Sequence, residues 1–192
     1  MILENLNKYK IVLASNSPRR RELLAGLGIH FEVHTLEGVD ESYPSDLPFV
    51  DIAEYIAQKK AHAYKVEPDE LLITADTIVV AEGEVLGKPC DREDACRMLR
   101  LLSRRTHQVI TGVCLCSATV ERHFSVKTDV MFKQLTEAEI AYYVDTYQPY
   151  DKAGAYGIQE WIGYIGCTGL HGSYYNVMGL PVQRIYQELL VF

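Results

Sequence analysis

A short polar and basic stretch stands where a predicted strand gives way to a predicted helix. The stretch is Ser15-Asn16-Ser17-Pro18-Arg19-Arg20-Arg21, and it follows the apolar run 10–14. Ser17 suits the N-cap of a helix and Pro18 its first position, because the missing N–H of proline has no helical partner there. Free backbone N–H groups, the positive end of the helix dipole and the arginines then face one space. The pattern predicts an anion site, and phosphate fits it; a solvated helix start with surface arginines is the alternative.

Asp76 is the strongest candidate for an acid that takes part in chemistry. It interrupts the long apolar segment 71–81. A carboxylate in such a place is costly unless it is paired, binds a cation or reacts, and an aspartate that caps a neighbouring loop is the alternative. Further acids, Glu37, Asp40 and Glu41, lie in an earlier loop that could face a divalent ion, although a solvated acidic loop is the simpler interpretation.

Three lysines could add positive charge to such a site. Lys59 and Lys60 lie on a predicted helix and Lys88 follows a predicted hairpin, and each taken singly is typical of an exposed lysine. Gly87-Lys88 is not a Walker A loop, because Pro89 stands where Ser or Thr must bind magnesium. Basic groups on several loops, acids able to hold a metal and one strand-embedded carboxylate suit the attack of water on phosphorus. The predicted chemistry is therefore hydrolysis of a phosphoanhydride.

Composition and charge restrict the partners of the chain. The 192 residues carry a formal net charge of −7, so a nucleic acid polymer or an anionic membrane is not an expected partner and a small ligand fits better. The five cysteines are odd in number and contain no CxxC pair, which favours a reducing compartment over a disulfide framework. No apolar run reaches the roughly 18 residues of a membrane span, and the N-terminus has no signal-like apolar core. We therefore expect a cytoplasmic protein.

Alternating strand-like and helix-like segments predict an α/β protein. The expected strands lie near 10–14, 30–35, 71–81, 107–117 and 122–132, with a hairpin return at 85–86. The expected helices lie near 18–27, 49–64, 92–102, 137–146 and 181–190. Asp91 should cap the third helix, and Thr136 with Glu139 forms a capping box before the fourth.

The remaining segment, 149–180, is predicted to be a mobile loop. Glycines recur there at every third position from 163 to 172 without the proline of collagen. No linker, low-complexity tract or repeat divides the chain. We therefore expect a single domain over residues 1–192, built of one or two lobes.

Five motifs occur in the order found in the Maf nucleotide pyrophosphatases. They are SNSPRR at 15–20, ADTIV at 75–79, GKP at 87–89, DKAGAYGIQ at 151–159, and GSY with GLP between 172 and 181. The chain resembles this family from about residue 10 to residue 190. The resemblance implies an elongated mixed α/β sheet with flanking helices, like that of inosine triphosphate pyrophosphatases, with two lobes around a cleft. It also implies a homodimer that cleaves a nucleoside triphosphate to the monophosphate and pyrophosphate with Mg²⁺ or Mn²⁺, as a housecleaning activity.

The resemblance implies roles for individual residues as well. Asp76 matches the proton acceptor, in agreement with its place in the strand, and Glu41 with Asp76 is the expected metal-binding pair. The residues expected to bind phosphate are Ser15, Arg20, Lys60 and Lys88. Two other functions stay open beside pyrophosphatase activity: a nucleotide-binding regulator linked to septum formation, which would bind without turnover, and an enzyme acting on deaminated purines such as ITP.

Three positions distinguish the branches of this family. Here they hold Arg19, Thr77 and Gln159, a combination that resembles the dTTP/UTP branch rather than the 7-methyl-GTP branch and disfavours ITP as substrate. An amide such as Gln159 can donate to and accept from the edge of a uracil or thymine ring. Glu160-Trp161 departs from the small, glycine-rich sequence of relatives, so the rim of the base pocket is expected to differ.

Overall fold

A computed structural model describes residues 3–192 and confirms the mixed α/β class. Within these residues, seven strands form one sheet in the order β2-β1-β3-β5-β6-β7, with β4 paired to β3. The strands are β1 (Lys10–Leu13), β2 (Glu32–Val33), β3 (Glu70–Ala81), β4 (Glu84–Leu86), β5 (Thr106–Cys116), β6 (Glu121–Phe132) and β7 (Cys167–His171). The helices are α1 (Pro18–Ala25), α2 (Phe49–His62), α3 (Arg92–Leu102), α4 (Glu137–Tyr147), α5 (Trp161–Gly166), α6 (Tyr174–Met178) and α7 (Val182–Leu190).

Parallel and antiparallel pairs both occur in the sheet. Strand β1 pairs in parallel with β2 and with β3, whereas β3 pairs antiparallel with β4 and β6 antiparallel with β7. The parallel pairs need helical connections, which α1 and α2 supply, and the short turn at 82–83 suffices for the antiparallel hairpin. The observed pairing therefore follows from the expected alternation of strands and helices.

The described residues form two compact units. The first unit contains the described residues up to Asp76 together with Thr111–Val126 and Gly179–Phe192, and the second contains Thr77–Ile110 and Lys127–Met178. Strand β3 contributes to both, and the division falls between its residues 76 and 77. Each unit has buried apolar residues of its own, which α2 covers in the first and α3 and α4 cover in the second. No helix within residues 3–192 is both long and apolar enough to span a membrane.

Three predicted helix starts are confirmed, whereas the last helix begins at Val182, one residue later than expected, because Pro181 has non-helical backbone angles and serves as its N-cap. The Ser17 side chain accepts a hydrogen bond in the first turn of α1, with Pro18 as the first helical residue. Asp91 caps α3, and Thr136 with Glu139 forms both hydrogen bonds of a capping box before α4. These signals could be read from the sequence because an N-cap and its partners lie within one turn of each other.

The prediction of a mobile loop over 149–180 is wrong. This segment contains a 3-10 turn at Ala153–Ala155 followed by α5, β7 and α6. Its glycines serve close packing: a Cβ on Gly163 would lie 1.8 Å from the backbone oxygen of Ile158. Regular glycine spacing without intervening apolar periodicity is typical of a loop, but here it reflects a backbone approach that no side chain would permit.

His107 is a buried histidine that makes the stability of the second unit depend on pH. It is 1% exposed, its Nε2 lies 2.7 Å from the Tyr156 hydroxyl, and its ring packs edge-to-face against Phe132 and Tyr156. Burial lowers the pKa of His107 to about 4, below the roughly 6.5 of an unfolded chain. Because His107 binds a proton more readily in the unfolded chain, protonation favours unfolding. The stability associated with the neutral buried ring is therefore complete above about pH 6.5 and is lost as the pH falls towards 4.

We expect this group to lower the free energy of unfolding by about 3 kcal/mol between pH 7 and pH 4. Denaturant unfolding at a series of pH values measures the effect. His107→Gln, which keeps hydrogen-bonding capacity without titrating, should flatten that part of the profile, whereas replacing the exposed His30 by glutamine should leave it unchanged. Profiles of wild type and His107→Gln that run parallel would contradict the assignment.

Candidate active site

Asp76 and Lys60 form a shielded ion pair in the first unit. Lys60 Nζ lies 2.7 Å from Asp76 Oδ1 and 2.8 Å from Glu41 Oε1. The side chains of Lys60 and Asp76 are only 16% and 14% exposed, whereas that of Glu41 is 51% exposed. One ammonium group thus joins a shielded carboxylate to an accessible one. The structure therefore brings Asp76, Lys60 and Glu41 together in this unit, and their roles in catalysis and metal binding stay predictions.

The packing of α2 against β3 creates this pair. The Thr74 hydroxyl donates to the backbone oxygen of Ala57 at 2.6 Å, and both residues are fully buried. Asp76 lies two residues after Thr74 and so faces the same side of the strand, while Lys60 lies three residues after Ala57 and so faces the same side of the helix. A buried contact of small groups therefore places the two charged side chains opposite each other.

Arg20 and Ser15 are engaged with the protein itself. Arg20 Nε donates to the backbone oxygen of Gly179 at 2.8 Å, and its Nη1 donates to that of Ala75 at 2.8 Å and to Ser15 Oγ at 3.5 Å. Burial lowers the pKa of Arg20, and the charge of Asp76 opposes that shift. The guanidinium group therefore ties the start of α1 to the residue preceding Asp76. Its expected role in binding phosphate stays a prediction, as does that of Ser15.

Thr77, Lys88 and Gln159 belong to the second unit. The N–H of Gly154 donates to the backbone oxygen of Gly87 at 3.0 Å, so the turn that carries the exposed Lys88 is tied to the segment that leads to Gln159. The Oε1 atom of Gln159 is buried, and no hydrogen-bond donor reaches it from the described residues. A buried carbonyl oxygen in that state is costly unless a ligand supplies the donor.

A charged network beside Gln159 was not predicted from the sequence. Lys152 Nζ lies 2.7 Å from Asp151 Oδ1 and 3.2 Å from Glu160 Oε1, and the Tyr143 hydroxyl donates to Glu160 Oε2. Burial and the hydrogen bond to Glu160 both raise the pKa of Tyr143. Lys152 could have indicated the network, because it stands directly before the small and apolar residues that follow it in the sequence. A lysine in such a place needs a carboxylate partner if its side chain is shielded from water.

Glu41 and Asp76 are the residues that could hold a divalent cation. Magnesium commonly binds one or two carboxylates and completes its shell with waters and substrate phosphates. Both carboxylates contact the same Nζ atom and therefore lie close together, so the donor set fits a cation shared with a substrate. Residues 3–192 hold no cluster of three or more His, Cys, Asp or Glu side chains placed to bind a metal.

Comparison with known proteins decides the family. The sequence model described as "Maf-like protein" matches residues 10–192, which include most of both compact units. The chain belongs to the Maf family. This membership confirms the resemblance that the five motifs indicated.

Several Maf relatives align over nearly their whole length. A dTTP/UTP pyrophosphatase of Bacteroides thetaiotaomicron is 60% identical over 98% of both chains, and one of Parabacteroides distasonis is 60% identical over 100% of both. A dTTP/UTP pyrophosphatase of Porphyromonas gingivalis is 54% identical over 100% of this chain and 98% of the relative.

Solved structures show more distant similarity. A nucleoside-triphosphatase (dITP/XTP pyrophosphatase) of Mycobacterium abscessus is 16% identical with a TM-score of 0.44, covering 93% of each chain. A HAM1 protein of Coxiella burnetii is 16% identical with a TM-score of 0.43, covering 95% of this chain and 98% of the other.

Proposed function

We propose that this Maf protein hydrolyses dTTP and UTP to the nucleoside monophosphate and pyrophosphate. The observation that carries the proposal is the shielded Asp76 carboxylate, held by Lys60 beside the accessible Glu41. Relatives with 54–60% identity over essentially the whole chain bear the name of this activity. A carboxylate fixed by Lys60, with the Arg20 guanidinium interacting electrostatically with it, suits attack of water on a phosphoanhydride.

Asp76 accepts a proton from the water that attacks the α-phosphorus. A bond forms between the water oxygen and phosphorus, the bond from the α-phosphorus to the oxygen bridging the β-phosphorus breaks, and pyrophosphate leaves. Lys60 holds the Asp76 carboxylate in one orientation and faces the charge that develops. Mg²⁺ or Mn²⁺ held by Glu41 and Asp76 would neutralise phosphate charge. The phosphate-binding residues of the proposal are Ser15, Arg19, Arg20, Lys60 and Lys88.

Gln159 selects the base in this proposal, together with Arg19 and Thr77. Its buried Oε1 atom can accept a hydrogen bond, and the N3–H group of uracil and thymine can donate one. Cytosine presents an unprotonated nitrogen at that place. A site with a buried acceptor therefore favours uracil and thymine nucleotides, since the analogue without the donor leaves a polar atom unpaired.

Pyrophosphate release from a panel of nucleoside triphosphates tests the proposal. We expect kcat/KM for dTTP and UTP to exceed that for CTP by at least about tenfold, because a lost hydrogen bond to a buried acceptor costs that much. ATP and ITP complete the panel as purine competitors. Activity should disappear with a chelator and return with Mg²⁺ or Mn²⁺. Binding of nucleotides without any turnover would favour the regulator linked to septum formation, and preferred turnover of ITP would favour a purine-specific enzyme.

We further propose a cytoplasmic homodimer that removes unwanted nucleotides, with residues 1–192 acting as one functional domain. The absence of CxxC pairs in the sequence supports a reducing compartment. The family match over 10–192 supports a single functional domain. Light scattering on the purified protein distinguishes a dimer from a monomer.

A further inference from the structure

We propose that the side chains of Tyr143, Lys152 and Glu160, here called the Glu160 clamp, position Gln159 and thereby set the preference for uracil and thymine over cytosine. This inference rests on the proposed function, because it takes the pyrimidine base to lie at Gln159. None of the three clamp residues contacts the base in the proposal. They act through Gln159 and are positioning residues.

The clamp holds the Glu160 carboxylate from two sides. Lys152 Nζ approaches Oε1 at 3.2 Å, and the Tyr143 hydroxyl donates to Oε2. The three side chains are largely withdrawn from solvent, with exposures of 10% for Lys152, 20% for Glu160 and 0% for Tyr143. The ion pair with Lys152 and the hydrogen bond from Tyr143 are both shielded from water and therefore stronger than exposed ones, so together they hold the Glu160 carboxylate in one orientation.

The same tyrosine also fixes the backbone before Gln159. The N–H of Gly157 donates to the Tyr143 hydroxyl at 3.0 Å, and the N–H of Glu160 donates to the backbone oxygen of Gly157 at 3.0 Å. A Cβ added to Gly157 would lie 2.8 Å from the Glu160 carboxyl carbon, so the turn closes directly onto the clamp. Both ends of segment 157–160 therefore depend on one hydroxyl and one carboxylate, and Gln159 lies between them.

A glutamine amide held in one orientation recognises fewer bases than an amide that can rotate. A freely rotating glutamine can present its oxygen to the N3–H of uracil or its NH₂ group to the N3 of cytosine. In the structure the Oε1 atom of Gln159 is buried and accepts no hydrogen bond from the described residues, so it is available as an acceptor. The backbone on both sides of Gln159 is fixed by the hydrogen bonds of Gly157 and Glu160, and we infer that this limits the rotation by which the amide could exchange its oxygen for its NH₂ group. In this inference the Glu160 clamp keeps the amide of Gln159 in the orientation whose oxygen accepts a hydrogen bond from the N3–H group of uracil or thymine.

Glu160→Gln is the most informative variant. It keeps the shape of the side chain, removes the charge that grips Lys152 and the tyrosine, and leaves Lys152 paired with Asp151. We expect the ratio of kcat/KM for UTP to that for CTP to fall by about tenfold, mainly through weaker use of UTP. Tyr143→Phe should lower the ratio at least as much, because it also removes the acceptor of the Gly157 N–H. The effect of the double variant should be smaller than the sum of the single effects, because the two residues share one hydrogen bond.

Steady-state kinetics with UTP and CTP test the role of the clamp, and thermal unfolding of each variant is measured alongside. Glu137→Gln is the matched control. Glu137 lies on α4, the helix that carries Tyr143, and its exposed carboxylate pairs with Arg100 of α3. If the wild type is active and Glu160→Gln has the same ratio of kcat/KM for UTP to that for CTP, the role of the clamp is overturned and the proposed function is not. This holds whatever the melting temperature of the variant. A wild type that turns over neither nucleotide would overturn the proposed function, and the clamp with it. If Tyr143→Phe does not fold, the isosteric Glu160→Gln still decides.

Discussion

Replacing Asp76 with asparagine is expected to lower kcat for dTTP and UTP by about 10³-fold, the range in which a lost general base falls. Asparagine keeps the size of the side chain but cannot accept the proton of the attacking water. Lys60 retains its contact with Glu41 at 2.8 Å, so the ammonium group does not lose every partner. With Mg²⁺ at saturating concentration, KM should change less than kcat, because the lysines and arginines proposed to bind phosphate are unchanged and Glu41 still offers a carboxylate to the metal. Pyrophosphate release under saturating nucleotide measures the effect.

Asp40→Asn provides the control for this variant. Asp40 also pairs with a lysine, Lys59, at 2.7 Å, but its side chain is 69% exposed. The hydrogen bond from Lys59 keeps the pKa of Asp40 well below its usual range, so this pair resembles that of Asp76 in charge but not in shielding. We expect near wild-type turnover in Asp40→Asn. Unchanged turnover in Asp76→Asn would contradict its role as proton acceptor.

Replacing Gly112 with alanine is expected to destabilise the protein by about 3 kcal/mol or more, because the added methyl group has no space. Gly112 lies on β5, where a Cβ would come within 2.1 Å of the Glu54 backbone nitrogen and 2.2 Å of the Ala53 carbonyl carbon. Relief requires α2 to move away from the strand. Since α2 also carries Lys60, that movement should lower activity in the fraction that remains folded.

Denaturant unfolding at pH 7 measures the loss of stability in Gly112→Ala. Gly87→Ala is the matched control, since no heavy atom lies within 4 Å of the Cβ that it would add, and its effect should stay within about 0.5 kcal/mol. Equal unfolding free energies for Gly112→Ala and wild type would show that β5 and α2 are not in close contact at Ala53 and Glu54.

Most elements of the fold were predictable from local patterns. Pro18 at the first turn of α1 and the capping box of Thr136 and Glu139 involve residues within one helical turn, so the sequence alone contains both partners. The segment 149–180 was not predictable in this way. Gly163 indicates a loop when read alone, and only the carbonyl of Ile158 packed against it shows why glycine is required there.

For the candidate site, too, the sequence and the tertiary structure determined different properties. The sequence determined which residues have the necessary chemistry: Asp76 in an apolar strand, Lys60 on a helix, and an amide at Gln159 within a family motif. Only the tertiary structure decided which groups meet. The Lys60–Asp76 pair depends on how α2 packs on β3, and Arg20 finds an acceptor at Gly179, which is 159 residues away. Periodicity and capping report contacts within a turn or a strand, whereas such pairings follow from burial of apolar surface, which no local pattern specifies.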